Sequence, residues 1–104
     1  MSTQAITDNP LLAARVTVPR HVVYRSFPAE TVLLNLDTGT YHGLNPSGGQ
    51  MLAALERAAS VGAAAGELAS SYGQPLALIT RDLCELCEGL RARGLIEFDG
   101  LAEG

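Results

Sequence analysis

Thr31–Leu55, TVLLNLDTGTYHGLNPSGGQMLAAL, decides the fold. Thr31–Leu36 is apolar and rich in β-forming residues, and Asp37-Thr38-Gly39 closes it as a turn. Asp37 and Thr38 suit the central positions of a type I turn, and Gly39 supplies the left-handed residue of a three-residue hairpin with a bulge. Thr40–Leu44 then returns antiparallel. With Leu36 opposite Thr40, alternation puts Val32, Leu34, Leu36, His42 and Leu44 on one face and Leu33, Asn35, Tyr41 and Gly43 on the other. The first set is the more apolar and is expected against the helices. Asn45 is a good N-cap and Pro46 fits the first helical position, so a helix starts directly after the second strand.

Upstream, His21–Phe27 (HVVYRSF) alternates as a further strand, and Pro28-Ala29-Glu30 turns it into Thr31–Leu36. Val16-Thr17-Val18, ahead of Pro19, suits a short extended piece. Downstream the pattern is helical. Met51, Leu52, Leu55 and Ala59 recur at helical spacing from Pro46 to about Ala59. Gly48-Gly49 costs this helix about 1 kcal/mol per glycine, a cost offset if small residues let it approach the sheet closely. Ser60-Val61-Gly62 reads as a break, Ala63–Tyr72 as a second helix stopped by Gly73, and Pro75–Arg93 as the longest helix. Its stripe of Leu76, Ile79, Leu83, Leu86 and Leu90 is expected in the core. Arg91 and Arg93 complement the helix dipole, Gly94 is the cap, and Leu95–Phe98 is a short extended end. The expected fold class is α+β: a three-stranded antiparallel sheet followed by three helices, like a winged helix-turn-helix (βββααα). The expected organisation is a flexible N-terminal tail over 1–19, one domain over 20–98 and a C-terminal tail over 99–104.

Composition narrows the function. The chain has 104 residues, 47% of them hydrophobic, enough for one domain with a modest core. A net charge of −4 with only seven Lys and Arg residues argues against a nucleic-acid partner, which needs a cationic surplus. The N-terminal MSTQAITDNPLLAARV lacks the basic start and apolar run of a secretion signal, and no apolar run approaches the length of a membrane span, so a cytoplasmic protein is expected. Cys84 and Cys87 are spaced as CxxC, but inside a helical pattern rather than at a helix start. Two small apolar helix residues are a better account of them than a redox pair or half a zinc site. His21 and His42 lie on strands with no nucleophile at a known spacing, Glu85 and Glu88 read as a solvated helix face, and no phosphate-loop pattern exists among the glycines. No catalytic residues, metal ligands or cofactors are expected.

A surface remains. In a meander of three strands Thr40–Leu44 is an edge, with unpaired backbone donors and acceptors open to an extended peptide. The long helix would wall the other side, through flanking positions such as Leu78, Arg81, Asp82 and Glu85. A hydrated edge without a ligand, and a winged-helix DNA-binding regulator, are the competing readings.

VLLNLDTGTYHGLNPSGGQMLAAL together with RDLCELCEGLRARGLIE resembles the PqqD-like family, the precursor-peptide recognition domains of ribosomally made, modified peptides. The resemblance covers about residues 20 to 98 and is strongest to the stand-alone version of lasso-peptide biosynthesis. Its most specific part runs from the first strand through Asp37-Thr38-Gly39 to Leu44-Asn45-Pro46, with Asp82-Leu83 and the Leu90–Leu95 ending also fitting. Met51-Leu52 stands where the family often has Ile-Trp, and Cys87 stands at a usually apolar position. The resemblance implies a non-catalytic domain that binds the leader of a precursor peptide by strand addition, between Thr40, Tyr41, His42, Gly43 and Leu44 on one side and Leu78, Arg81, Asp82 and Glu85 on the other. In the lasso group the leader typically presents a tyrosine and a proline to apolar pockets. The implied partners are that precursor, a leader peptidase and an ATP-dependent macrocyclase, with no nucleic acid and no membrane. Proline at Tyr41 or His42 is expected to abolish leader binding and to leave the fold largely intact.

Overall fold

The computed structural model describes residues 10–99. A short 3-10 turn, Pro10–Ala13, leads into β1 (Arg15–Thr17). Then come β2 (Val22–Ser26), β3 (Thr31–Asn35), β4 (Tyr41–Leu44), α1 (Pro46–Arg57), α2 (Val61–Tyr72), α3 (Leu76–Ala92) and β5 (Glu97–Asp99). β2, β3 and β4 form an antiparallel meander in that order, while β1 and β5 pair antiparallel as a separate two-stranded sheet. The architecture is the α+β arrangement of three strands followed by three helices, with β1–β5 as an additional clasp.

The hairpin register differs from expectation by one residue. Leu34 faces Tyr41 and Leu33 faces His42, so Leu36 is not paired with Thr40. Thr31, Leu33 and Asn35 therefore point inward with His42 and Leu44, while Val32, Leu34, Tyr41 and Gly43 take the outer face. Leu36, expected in the core, is 56% exposed. The cause is Asn35. Its side-chain oxygen accepts from the N–H of Asp37 (2.9 Å) and of Thr38 (3.2 Å), and its carbonyl accepts from Gly39 N–H at 2.8 Å. These bonds draw Leu36 into the loop, which thus holds four residues rather than three. Gly39 does take the left-handed conformation, at φ 78°.

Helix termini follow the local chemistry. Asn45 accepts from Gly48 N–H at 2.8 Å, with Pro46 at the first position of α1. Ser60 caps α2 through Ala63 N–H at 3.0 Å, so Val61 opens the helix and is fully buried rather than lying in a break. Gly73 and Gly94 end α2 and α3 as expected. α1 carries its glycines for a reason of packing. A Cβ at Gly49 would lie 2.9 Å from Thr31 Cβ, and closer still to its hydroxyl. Only a glycine lets α1 sit this close to β3.

The core is continuous, with Leu33, Leu52, Leu55, Leu83, Leu90 and Ile96 almost wholly buried. Two corrections concern α3. Leu76, at its first position, overhangs the core and is 55% exposed, and Leu86 is half-buried. Thr80 and Cys87 fill the stripe with Ile79, Leu83 and Leu90. α1 and α2 are fastened by the Arg57–Glu67 ion pair and by Tyr72 Oη donating to Gln50 at 2.7 Å. Tyr24 Oη donates to Glu56 at 2.5 Å and ties β2 to α1. The core also extends toward the N-terminus beyond the expected boundary at residue 20: Leu11, Ala14 and Val16 are buried in it.

Candidate functional site

β4 is built as an edge. Asn35 N–H donates to the Thr40 carbonyl at 2.9 Å, which makes Asn35–Thr40 a hydrogen-bonded pair. Antiparallel pairs alternate, so Leu33–His42 and Thr31–Leu44 are the next bonded pairs, and Leu34–Tyr41 and Val32–Gly43 are not. The other side of β3 agrees: Leu36 N–H donates to the His21 carbonyl at 2.6 Å and Phe27 N–H to the Glu30 carbonyl at 2.7 Å, which assigns Leu34 and Val32 to β2. The backbone N–H and C=O groups of Tyr41 and Gly43 therefore face away from the sheet. Among the described residues no strand pairs with that side of β4.

The five expected strand positions have distinct roles. Thr40 belongs to the turn, its hydroxyl 2.7 Å from that of Thr38. Tyr41 and Gly43 carry the open backbone groups, and the Tyr41 side chain is 76% exposed on the outer face. His42 and Leu44 send their side chains inward and their backbone groups to β3; His42 is half-buried and Leu44 buried. Of the five positions, Tyr41 and Gly43 are the two whose backbone groups face outward from β4.

The helix positions divide similarly. Leu78, Asp82 and Leu86, each four residues from the last, form a half-buried seam on one side of α3. Glu85 is exposed beside this seam. Arg81 points away from the core, with its Nε 3.7 Å from Asp82. α2 is the principal packing partner of α3, and α1 is the helix laid against β3 and β4. α3 and β4 are joined through the core to which Leu44, Ile79 and Leu83 all belong.

Two features escaped the sequence. The register slip leaves Val23, Val32 and Leu34 with Arg25 and Phe27 around a shallow depression of about 260 Å³ on the outer sheet face. The Glu30 carboxylate also stands over Gly43, with Oε1 3.0 Å from where a Cβ would be. The first follows from a register that the equally apolar Leu33 and Leu34 leave open in the sequence. The second depends on a side-chain rotamer and has no sequence signal.

Of the two cysteines, Cys84 is partly buried and Cys87 is buried. Burial pushes the Cys87 thiol up to about 12, with Cys84 and Glu88 adding to the shift. Burial, then Glu88, also raises Cys84, so both are thiols at neutral pH. Among the described residues no cluster of three His, Cys, Asp or Glu side chains is placed to hold a metal ion, and no helix is long and apolar enough to cross a membrane.

A small α+β domain with an open sheet edge and one continuous core is the class this geometry defines. Residues 30–96 match the family model described as coenzyme PQQ synthesis protein D (PqqD), and the chain belongs to that family. Two solved structures are similar. One is described as TbiB1 in complex with the TbiA(beta) leader peptide; it is 29% identical with a TM-score of 0.72, over 84% of this chain and 99% of that one. The other is described as lasso peptide synthetase B1 complexed with the leader peptide; at 23% identity and a TM-score of 0.73, over 81% and 99% of the two chains, it supports the fold alone. No curated protein matches.

Proposed function

We propose that this protein is a non-catalytic recognition element for the leader segment of a ribosomally made precursor peptide of the lasso type. The open backbone of Tyr41 and Gly43 carries the reading, and a similar protein with a bound leader peptide supports it. The leader adds as a strand outside β4 and exchanges hydrogen bonds with those two residues. Its alternate side chains turn inward, past His42 and Leu44 toward the Leu78–Asp82–Leu86 seam of α3, which forms the second wall with Glu85 at its rim. Arg81 contributes through its ion pair with Asp82 rather than by contact.

Ordering a flexible leader costs conformational entropy. One well-buried aromatic returns about 2–3 kcal/mol, so edge hydrogen bonds and two or three such side chains give a Kd between about nanomolar and micromolar, or roughly −12 to −8 kcal/mol. The bound leader then holds the rest of the precursor at high effective concentration beside a leader peptidase and an ATP-dependent macrocyclase. The cytoplasm, where precursor and ATP meet, is the proposed location. Anisotropy titration of the labelled leader of the protein's own precursor tests the reading. Binding in that range, weakened at least tenfold in Tyr41→Pro, is expected; equal affinity in the two proteins would overturn it.

A further inference from the structure

Tyr41 and Gly43 are the only β4 residues on the outer sheet face, and Gly43 brings no side chain to it. The space a side chain would fill holds the Glu30 carboxylate instead, 3.0 Å from the Cβ position. Glu30 is exposed and makes no ion pair among the described residues. Arg25 lies in the same cross-strand row, separated from Gly43 by Val32, and does not pair with it. A strand docked outside β4 places one residue directly opposite Gly43, on this same face, with Cβ separations of about 4.5–5.5 Å between such neighbours. That residue therefore meets a carboxylate where it would ordinarily meet the side chain of its partner.

We infer that Glu30 is a specificity-determining residue that reads a basic side chain, Lys or Arg, in the docked segment at the position opposite Gly43. The inference rests on the strand-addition reading above. It adds a charge code on the solvent side of the peptide, independent of the apolar side chains turned toward α3. An exposed cross-strand pair is weak and screened by salt, so the code selects among peptides already held by their backbone.

A displayed library of random 15-residue peptides tests it with no need for the natural leader. The library is sorted on the wild-type protein, on Glu30→Lys and on Gly43→Ala, keeping only peptides whose capture is lost on Tyr41→Pro. The wild type is expected to enrich Lys or Arg over Asp or Glu roughly three- to tenfold at one position of the aligned peptides. Glu30→Lys is expected to invert that preference at the same position. Gly43→Ala, whose methyl group displaces the carboxylate, is expected to bring the ratio close to one. Peptides that bind through the edge with no difference between wild type and Glu30→Lys would overturn the inference and leave strand addition standing. An undiminished ratio in Gly43→Ala would also overturn it. If no captured peptide depends on Tyr41, strand addition fails, and the inference with it.

Discussion

At the scale of single residues, glycines with the same helical setting have opposite costs. Gly49 faces Thr31 so closely that a methyl group forces the hydroxyl and backbone apart, while nothing lies within 4 Å of a Cβ added to Gly66. Gly66→Ala should therefore stabilise the protein by about 0.5–1 kcal/mol through helix propensity alone. Gly49→Ala gains the same propensity but overpacks the α1–β3 contact, and should lose about 1–3 kcal/mol; urea denaturation of both variants measures the contrast. Tyr24 is the residue whose titration should be visible. Burial, and then the hydrogen bond and charge of Glu56, push its hydroxyl up from 10.0 to about 12. The folded state thus resists ionisation more than the unfolded chain. Its contribution to stability is complete below pH 10 and is lost as pH rises through 12. The chain has no tryptophan, so absorbance titration should show a late tyrosine step that Tyr24→Phe removes. Tyr24→Phe should also be less stable at neutral pH, by about 1 kcal/mol.

At the scale of elements, the hairpin shows what sequence pattern can and cannot resolve. Strand, turn, strand and capped helix are all legible in Thr31–Leu55, because Asn45-Pro46 and Gly39 act locally. The register is not, since Leu33 and Leu34 are equally apolar and alternation alone cannot say which points inward. Asn35 settles it by bonding to two turn amides, a choice between a three- and a four-residue loop that composition does not decide. The consequence reaches the candidate site. Sequence alone predicts that proline acts alike at Tyr41 and His42, yet these residues turn their N–H groups in opposite directions. Tyr41→Pro removes only an outward donor, so its thermal midpoint should stay near that of the wild type while peptide binding is lost. His42→Pro breaks a ladder bond to Leu33 and should destabilise the domain by about 1–3 kcal/mol. Thermal melts of both variants, read beside leader titrations, separate an effect on the docked strand from an effect on the sheet.

For the whole molecule, the pairing of β1 with β5 matters most and is the least visible in the sequence. Both segments read as extended, but Val16 and Phe98 lie 82 positions apart and face each other, and nothing in either short stretch names its partner. Only the tertiary fold brings them together, with the Arg91 guanidinium 5.9 Å from the Phe98 ring centre at the end of α3. The expected domain boundary at residue 20 would cut this clasp away. Removing residues 1–19 deletes the buried side chains of Leu11 and Val16, and it strips the partner strand from β5, next to the buried Leu95 and Ile96. At about 1.5–3 kcal/mol for each large apolar side chain, the truncated protein should lose about 3–6 kcal/mol. A domain of this size has about 5–15 kcal/mol in total. Val16→Ala isolates one contact and should cost about 2 kcal/mol, transfer and cavity together. Urea midpoints of the full chain, Val16→Ala and the 20–104 fragment should fall in that order. A fragment as stable as the full chain would show that β1 merely rests on the domain, and the boundary would return to residue 20.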